Sequence, residues 1–349
     1  MISDDSVERR FGRRGGPVTV PCEGDVSPSD GHHGVCTSRF ARRNGCHRPD
    51  SGDNVAEPRV HDSGLTCCRR LRESGLRHED TQSGDYFWSD HEADDELTRL
   101  RLIEQFNDPS TFRQLDAIGV AEGWRCLEVG AGAGSVARWL SQRVGPVGEV
   151  VAADLDVRFL GDISAQNVEV RRCDITQDPI EPSSYDLVHA RSVLMHLRDP
   201  VAALRRMTAA LRPGGWLMVE DVDNGVVEAA DPAHPLAAAF DLCAQARIQF
   251  LLAGGIMDLR YGRTLPVHME ELKLADVGNE AVGLVGRGRS PVSQLMIQSF
   301  RPMDDAMVAN GVVGQSDASD AQRAFEDPSF LYRGGLIVAV WGRNPSQGV

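Results

Sequence analysis

Three alternate glycines, Gly130, Gly132 and Gly134, sit inside Cys126-Leu-Glu-Val-Gly-Ala-Gly-Ala-Gly-Ser-Val-Ala-Arg-Trp-Leu140. An apolar run, a glycine-rich turn and a helix-like pattern in that order let backbone approach a nucleotide-like ligand closely. Glu128 stands directly ahead of the glycines, which disfavours a phosphate and favours a ligand that carries positive charge. Asp154 follows 20 residues after Gly134, where a carboxylate accepts hydrogen bonds from both ribose hydroxyls. Asp174 and Ile175 offer an acceptor and an apolar side chain for an adenine, with Leu155 on its other face. Taken alone, an acid such as Asp174 is more often a strand-end cap than an adenine contact. Tyr185-Asp-Leu-Val-His-Ala-Arg191 then runs into Ser192-Val-Leu-Met-His196, placing Ala190, Arg191 and His196 at the edge of the crevice.

Positioning these groups takes alternating strands and helices, the pattern of a doubly wound parallel sheet. Strands are predicted at 124–129, 149–153, 168–172, 185–191, 216–222, 277–285 and 335–342. Helices are predicted at 134–144, 156–163, 199–211, 232–252 and 265–274. Glu92 to Asn107 has Leu97, Leu100, Ile103 and Phe106 at helical spacing, and Asn107-Asp-Pro109 punctuates a second helix. Residues 290–330 read as an amphipathic helical insertion between the last two strands, a cap over the ligand edge.

With these stations in order, residues 124–222 resemble a class I S-adenosylmethionine (SAM)-dependent methyltransferase. Glu128-Val-Gly-Ala-Gly-Ala-Gly134 looks like that family's first motif, Asp154 like its ribose-binding acid and Asp174-Ile175 like its adenine station. Leu211-Arg-Pro-Gly-Gly-Trp-Leu217 looks like its turn into the fifth strand. The resemblance implies a Rossmann-like α/β fold of seven strands, closed by an antiparallel hairpin and covered by an N-terminal helical lid. It implies SAM as cofactor, with Gly130, Ala131 and Gly132 along the methionine portion, Glu128 toward its ammonium, and Ala190 and Arg191 at its edge. Methyl transfer would then go to an O, N or C atom of an acceptor placed among Arg191, His196, Tyr261 and His268. His196 and Arg191 are the catalytic candidates. His196 reads otherwise as a turn cap, Arg191 as the partner of a nearby acid, and His189 as a satisfied core histidine.

A rival reading takes Gly132-Ala-Gly-Ser-Val-Ala137 as the G-x-G-x-x-A of an NAD(P)-dependent oxidoreductase. Glu128 would then face a pyrophosphate, and the Arg-Pro-Gly-Gly turn would have no role. A SAM-binding module without methyl transfer is the other alternative.

Composition narrows the partners. The 37 basic and 51 acidic residues give a net charge of −14, against a nucleic-acid partner, whose affinity rests on neutralised phosphates. No Asn/Asp-Pro-Pro-Tyr/Phe follows the fourth strand and no Pro-Cys nucleophile lies there, which favours a small-molecule acceptor. Without a signal-peptide core or an apolar run of about 18 residues, the chain is expected to be cytoplasmic with no membrane partner. Residues 1–84 are rich in Gly, Pro, Ser, Asp and Arg without periodicity, and read as a disordered leader or a mis-started segment. Their Cys22, Cys36, Cys46, Cys67 and Cys68 form no C-x-x-C pair, so no metal site is expected. The domain expected is 85–349: lid 85–120, SAM-binding core 121–222, and a C-terminal half 223–349 holding the 290–330 cap.

Overall fold

The computed structural model describes residues 93–345; the expectations for residues 1–84, and the first residues of the lid, lie outside them. The chain runs α1 (Ala93–Ile118), β1 (Arg125–Val129), α2 (Ser135–Val144), β2 (Glu149–Asp154), β3 (Val168–Arg172), β4 (Tyr185–Arg191), α3 (Pro200–Ala210) and β5 (Leu211–Asp223). It continues through β6 (Glu228–Ala229), α4 (Ala237–Ala253), α5 (Tyr261–Glu271), β7 (Ala275–Arg287), α6 (Pro291–Ala309), α7 (Gln315–Glu326) and β8 (Leu331–Arg343). The sheet order is β3-β2-β1-β4-β5-β8, with β7 antiparallel along the far edge of β8. All seven expected strands are present. The eighth, β6, is two residues long and continues the β5 side of β8.

Period-two alternation divides the sheet into two cores. Cys126, Val150, Leu187 and Met218 face α2 and the end of α1, where Leu115 and Leu140 are fully buried. Their successors Leu127, Val151, Val188 and Val219 face α3 and α5, against Leu204, Met207, Leu265 and Met269. A third core joins α4 to the expected insertion. Phe240 of α4 meets Phe325, Phe330 and Tyr332 with ring centroids 5.0–5.5 Å apart, and Met303 and Met307 of α6 close it.

Several elements depart from the sequence expectation. Asn107-Asp-Pro109 does not end a helix: α1 runs unbroken for 26 residues with Pro109 inside. Thr111, Gln114 and Leu115 are buried beyond the proline as Glu96, Arg99 and Asn107 are before it. The Ser110 hydroxyl donates to the Asn107 carbonyl (2.9 Å), and Thr111 Oγ1 lies 3.1 Å from the same oxygen, beside the proline. The helix predicted at 156–163 is only a 3₁₀ turn, Val157–Leu160, because Asp156 ties the Arg158 N–H and one residue of the turn, Leu160, is buried. Helix α4 starts at Ala237 rather than 232, after Pro232 and Pro235. Helix α5 starts four residues early, at Tyr261, because it lies on the end of β5. There a Cβ on Gly262 would stand 2.6 Å from the Asp221 carbonyl, so only glycine permits the approach.

The Arg-Pro-Gly-Gly turn is structural in these terms. Arg212 pairs with Asp186, which also accepts the Arg125 N–H at 2.8 Å. A Cβ on Gly215 would lie 2.7 Å from the Tyr185 carbonyl. The turn locks β5 to β4 and β1 at the edge of the sheet opposite the crevice.

Candidate cofactor site and active site

At the carboxyl end of β1 all three glycines have left-handed φ, +70° at Gly130, +55° at Gly132 and +87° at Gly134. At Gly130 the demand is also steric, since a Cβ there would meet Val193 Cγ2 at 2.3 Å. The turn is tied to β2: Gly130 and Ala131 donate to the Ala153 carbonyl (2.8 and 3.1 Å), and Gly132 donates to Asp154 Oδ2 at 2.8 Å. Asp154 Oδ1 accepts the Asp156 N–H at 2.9 Å. Burial raises the Asp154 pKa, and its backbone donors oppose that rise.

The adenine-station candidates stand at neighbouring strand ends, where the Cys173 N–H donates to the Asp154 carbonyl at 2.9 Å, but differ in setting. Leu155 is 49% exposed. Ile175 is buried in the core on the α3 face. Asp174 caps its own turn, with Oδ1 accepting both the backbone and hydroxyl of Thr176 (2.8 and 2.6 Å) and Oδ2 accepting Gln177 Nε2 at 2.9 Å. Burial pushes its pKa up, but these donors outweigh it and hold the carboxyl below its ordinary value.

Glu128 belongs to a buried charged layer that the strand register builds. Glu128 lies beside His189 across β1 and β4, and Arg191 beside Glu220 across β4 and β5. His189 Nδ1 is 2.7 Å from Glu128 Oε2, and its Nε2 is 3.1 Å from Glu220 Oε2. Glu128 is 2% exposed, His189 and Glu220 fully buried. Burial works against a charged imidazole, but the two carboxylates outweigh it and lift His189 to about 9. Burial likewise raises the Glu128 pKa, partly offset by His189. His189 is thus a satisfied core histidine, held as an imidazolium between two acids.

Helix α1 closes this layer. Thr111 Oγ1 donates to Glu220 Oε2 (2.7 Å) and accepts from Arg191 Nη1 (2.9 Å). Arg191 Nη2 pairs with Asp108 Oδ1 at 3.0 Å. Ser135 Oγ donates to the same Asp108 oxygen (2.9 Å), and Glu104 Oε1 accepts the Ser135 N–H (2.9 Å). Two α1 carboxylates therefore sit at the amino terminus of α2, where the helix dipole favours negative charge.

Of the acceptor candidates, Tyr261 and His268 share a hydrogen bond, while Arg191 lies on the other face of the sheet. His196 ends a 3₁₀ turn, Leu194–His196, after β4. Burial, with the positive charge of Arg99, holds its pKa down at about 3, so the imidazole is neutral. Asp221 fixes that turn by accepting the Met195 N–H at 3.0 Å; burial pushes this carboxyl up to about 7 against its backbone donors. Tyr261 is buried in α5, with its hydroxyl 2.9 Å from His268 Nδ1 on the same helix. That helix covers the face of the sheet opposite Arg191, because successive strand residues point to opposite faces.

Sequence reading missed Glu220, Thr111, Asp108 and Glu104. A signal existed for the first: Glu220-Asp221 is a pair of acids inside an otherwise apolar strand, and buried acids demand partners. For the α1 residues none existed, since their role depends on where the helix docks.

Residues 127–219 match the family model described as a methyltransferase domain. With its glycine turn and the Asp154 carboxylate behind it, this region is similar to the methyltransferase domains of the class I, SAM-dependent type. The chain is 31% identical over 188 residues to methyltransferase str2 of Strobilurus tenacellus, covering 51% of this chain and 64% of that protein. It is 32% identical over 127 residues to demethylmenaquinone methyltransferase of Staphylococcus aureus, covering 34% and 53% respectively. The chain thus spans between half and two thirds of the length of these relatives. Among solved structures it is similar to the YcgJ protein of a Bacillus (16% identity, 69% of this chain and 100% of that one, TM-score 0.46). It is also similar to phosphoethanolamine N-methyltransferase 2 of Haemonchus contortus (17%, 76% and 61%, TM-score 0.47).

Proposed function

We propose that the protein transfers a methyl group from SAM to an O, N or C atom of a small-molecule acceptor. The observation that carries this reading is the ring of carboxylates about the glycine turn: Glu128 beneath it, Asp154 beside it, and Glu104 and Asp108 at the α2 amino terminus. A pyrophosphate would need that helix terminus for itself and would meet four acids there. A cationic ligand meets the opposite field, which weighs against the dinucleotide reading.

When bound, SAM supplies an electrophilic methyl group on a sulfonium. In this reading the backbone at Gly130, Ala131 and Gly132 lines its methionine portion and Gly134 turns the chain into α2. Asp154 has unused lone pairs for the ribose. Leu155 covers the adenine, and Asp174 and Ile175 border it. Glu128 contributes negative charge near the ammonium, moderated by His189, and Ala190 and Arg191 close the inner edge. Helix α1 serves as lid, and the 290–330 segment as cap. Positioning and exclusion of water are the protein's main contributions, and they supply on the order of 7–11 kcal/mol in favourable intramolecular cases. The small-molecule acceptor is supported by the net negative charge and by the quinone-type substrate in the name of the Staphylococcus relative. Among the described residues no helix is long and apolar enough to cross a membrane, and no group of three or more His, Cys, Asp or Glu residues is placed to hold a metal.

The decisive measurement is release of S-adenosylhomocysteine when the protein is incubated with SAM and a metabolite extract. SAM binding without release supports the binding-module alternative, and binding of NADH but not SAM overturns both. His196 is too weak a base to store a proton, but its neutral ring can accept a hydrogen bond from the acceptor. His196→Ala is therefore expected to lower turnover about tenfold, at the low end of acid–base contributions, with S-adenosylhomocysteine affinity unchanged by calorimetry. Unchanged turnover removes His196 from the mechanism.

A further inference from the structure

The sheet ends on β3 at one side and on β7 at the other, and the two edges are built differently. β3 is five residues long and carries Glu169, Arg171 and Arg172, the short, charged form that blocks pairing with another chain. β7 runs for 13 residues as Ala-Asp-Val-Gly-Asn-Glu-Ala-Val-Gly-Leu-Val-Gly-Arg, with no lysine or proline. One side of it pairs with β8, and no described strand pairs with the other. A long edge of this kind offers a row of N–H and C=O groups as the template for a further strand.

From Val277 onward the strand alternates strictly. Its even-numbered residues are engaged within the protomer. Leu284 packs on the third core, and Glu280 is held by Arg113 (2.9 Å) and Gln114 (2.7 Å) of α1. Gly278 and Gly286 leave room for the Trp341 and Tyr332 rings of β8. The odd-numbered face, Val277, Asn279, Ala281, Gly283 and Val285, is exposed; Val277 is 42% and Val285 77% exposed. Before Val277 the register slips against β8 and Asp276 takes a φ of +53°, a bulge that ends the regular edge.

We propose that β7 pairs with β7 of a second copy of this chain, antiparallel about a two-fold axis at Ala281, so that the two sheets become one. Residues directly opposite one another share a face, so a two-fold axis normal to the sheet must fall on a residue. At Ala281 it sets Val277 against Val285 of the partner subunit, and the symmetry repeats that pair at the other end. At Glu280 it would oppose two like charges, and at Val282 it would set Val277 against an arginine, Arg287. At Asn279 or Gly283 it would set one valine against Lys273 or Arg289, outside the strand. Antiparallel pairing also brings the acidic end of one strand, Asp276, to the basic end of the other, Arg287 of the partner subunit. The two copies of Glu280 come near the axis, each with Arg113 as its own counter-charge. Residues 277–285 supply about eight to ten main-chain hydrogen bonds across the edge, as many as a typical protein interface holds.

The pairing does not depend on methyl transfer, so its test is the mass of the full chain in solution. Sedimentation velocity is expected to show a concentration-dependent dimer, followed up to about 100 μM because small interfaces bind weakly. Val277→Glu/Val285→Glu places glutamate opposite glutamate at both valine pairs. It should raise the dimer dissociation constant about 100-fold, since like charges directly opposite destabilise cross-strand pairs. Val277→Lys/Val285→Glu places lysine opposite glutamate at the same positions and should return the constant to within about tenfold of wild type. Both changes are at exposed positions, where substitutions move stability little, and a Lys/Glu dimer itself reports that the edge still forms. A wild type that stays monomeric, or a Glu/Glu variant that dimerises as tightly as wild type, overturns the edge interface. A Lys/Glu variant no tighter than the Glu/Glu one overturns the register at Ala281.

Discussion

Replacing His189 with leucine should destabilise the protein by on the order of 3–5 kcal/mol at neutral pH, the cost of removing one partner from a buried ion pair. The side chain is fully buried, with Glu128 at 2.7 Å on one nitrogen and Glu220 at 3.1 Å on the other. Without the imidazolium, two buried carboxylates are left without their counter-charge, and Glu220 Oε1 is already without a partner. Urea melts of the two proteins measure the loss. Their pH dependence separates this cause from a simple cavity. The His189 pKa rises from 6.5 in the unfolded chain to about 9 in the folded protein, so the folded state holds the proton more tightly. The stability it contributes is complete below about pH 6.5 and is lost as pH rises through about 9. The wild type should therefore weaken over that window. His189→Leu should lack this component and instead gain stability toward acid, where a carboxylate takes up the missing proton. Two proteins with parallel pH curves would show that His189 is neutral, filling space between the acids.

Replacing Asp154 with alanine should weaken S-adenosylhomocysteine binding about 100-fold. The carboxylate holds the glycine turn through the Gly132 N–H at 2.8 Å and organises the next turn through the Asp156 N–H at 2.9 Å, while in the proposed reading it also takes the ribose. Hydrogen bonds to a charged group contribute roughly 1.5–3 kcal/mol each, so one or two lost ribose bonds account for that factor. Asp154→Asn keeps one acceptor oxygen and should fall between the two. Calorimetry gives the affinities, and thermal melting in the absence of ligand reports how much of the effect is loosening of the turn. An affinity within twofold of wild type for the alanine variant would place the ribose elsewhere.

The parts of the site that were legible in sequence are local. Gly130 is required by a positive φ and by Val193, and a glycine between an apolar strand and a helix announces such a turn whatever surrounds it. Asp154 ends a strand whose apolar run, Val150–Ala153, can only be a doubly covered one. Where reading by local rules failed, tertiary contact had overridden them. Asn107-Asp-Pro109 carries a helix-stop signal, yet α1 continues because Thr111 and Leu115 are buried against the sheet beyond it. Residues 156–163 have helical composition but bury only Leu160 within the turn they form, too little to support a helix of that length. Tyr261 and His268 have the chemistry of an acceptor site, but the sheet separates them from Arg191.

From sequence alone came the seven main strands and the glycine turn with Asp154 behind it, because strand period, apolar runs and glycine conformations are properties of neighbouring residues. Only the folded chain decided what those carboxylates touch. Glu128 meets His189 61 residues away, and His189 meets Glu220 31 residues further on, through a sheet register that no local pattern encodes. Thr111 and Asp108 join them because α1 docks over that layer. Long-range packing, not residue type, turned a row of acids into a closed charged layer over the crevice.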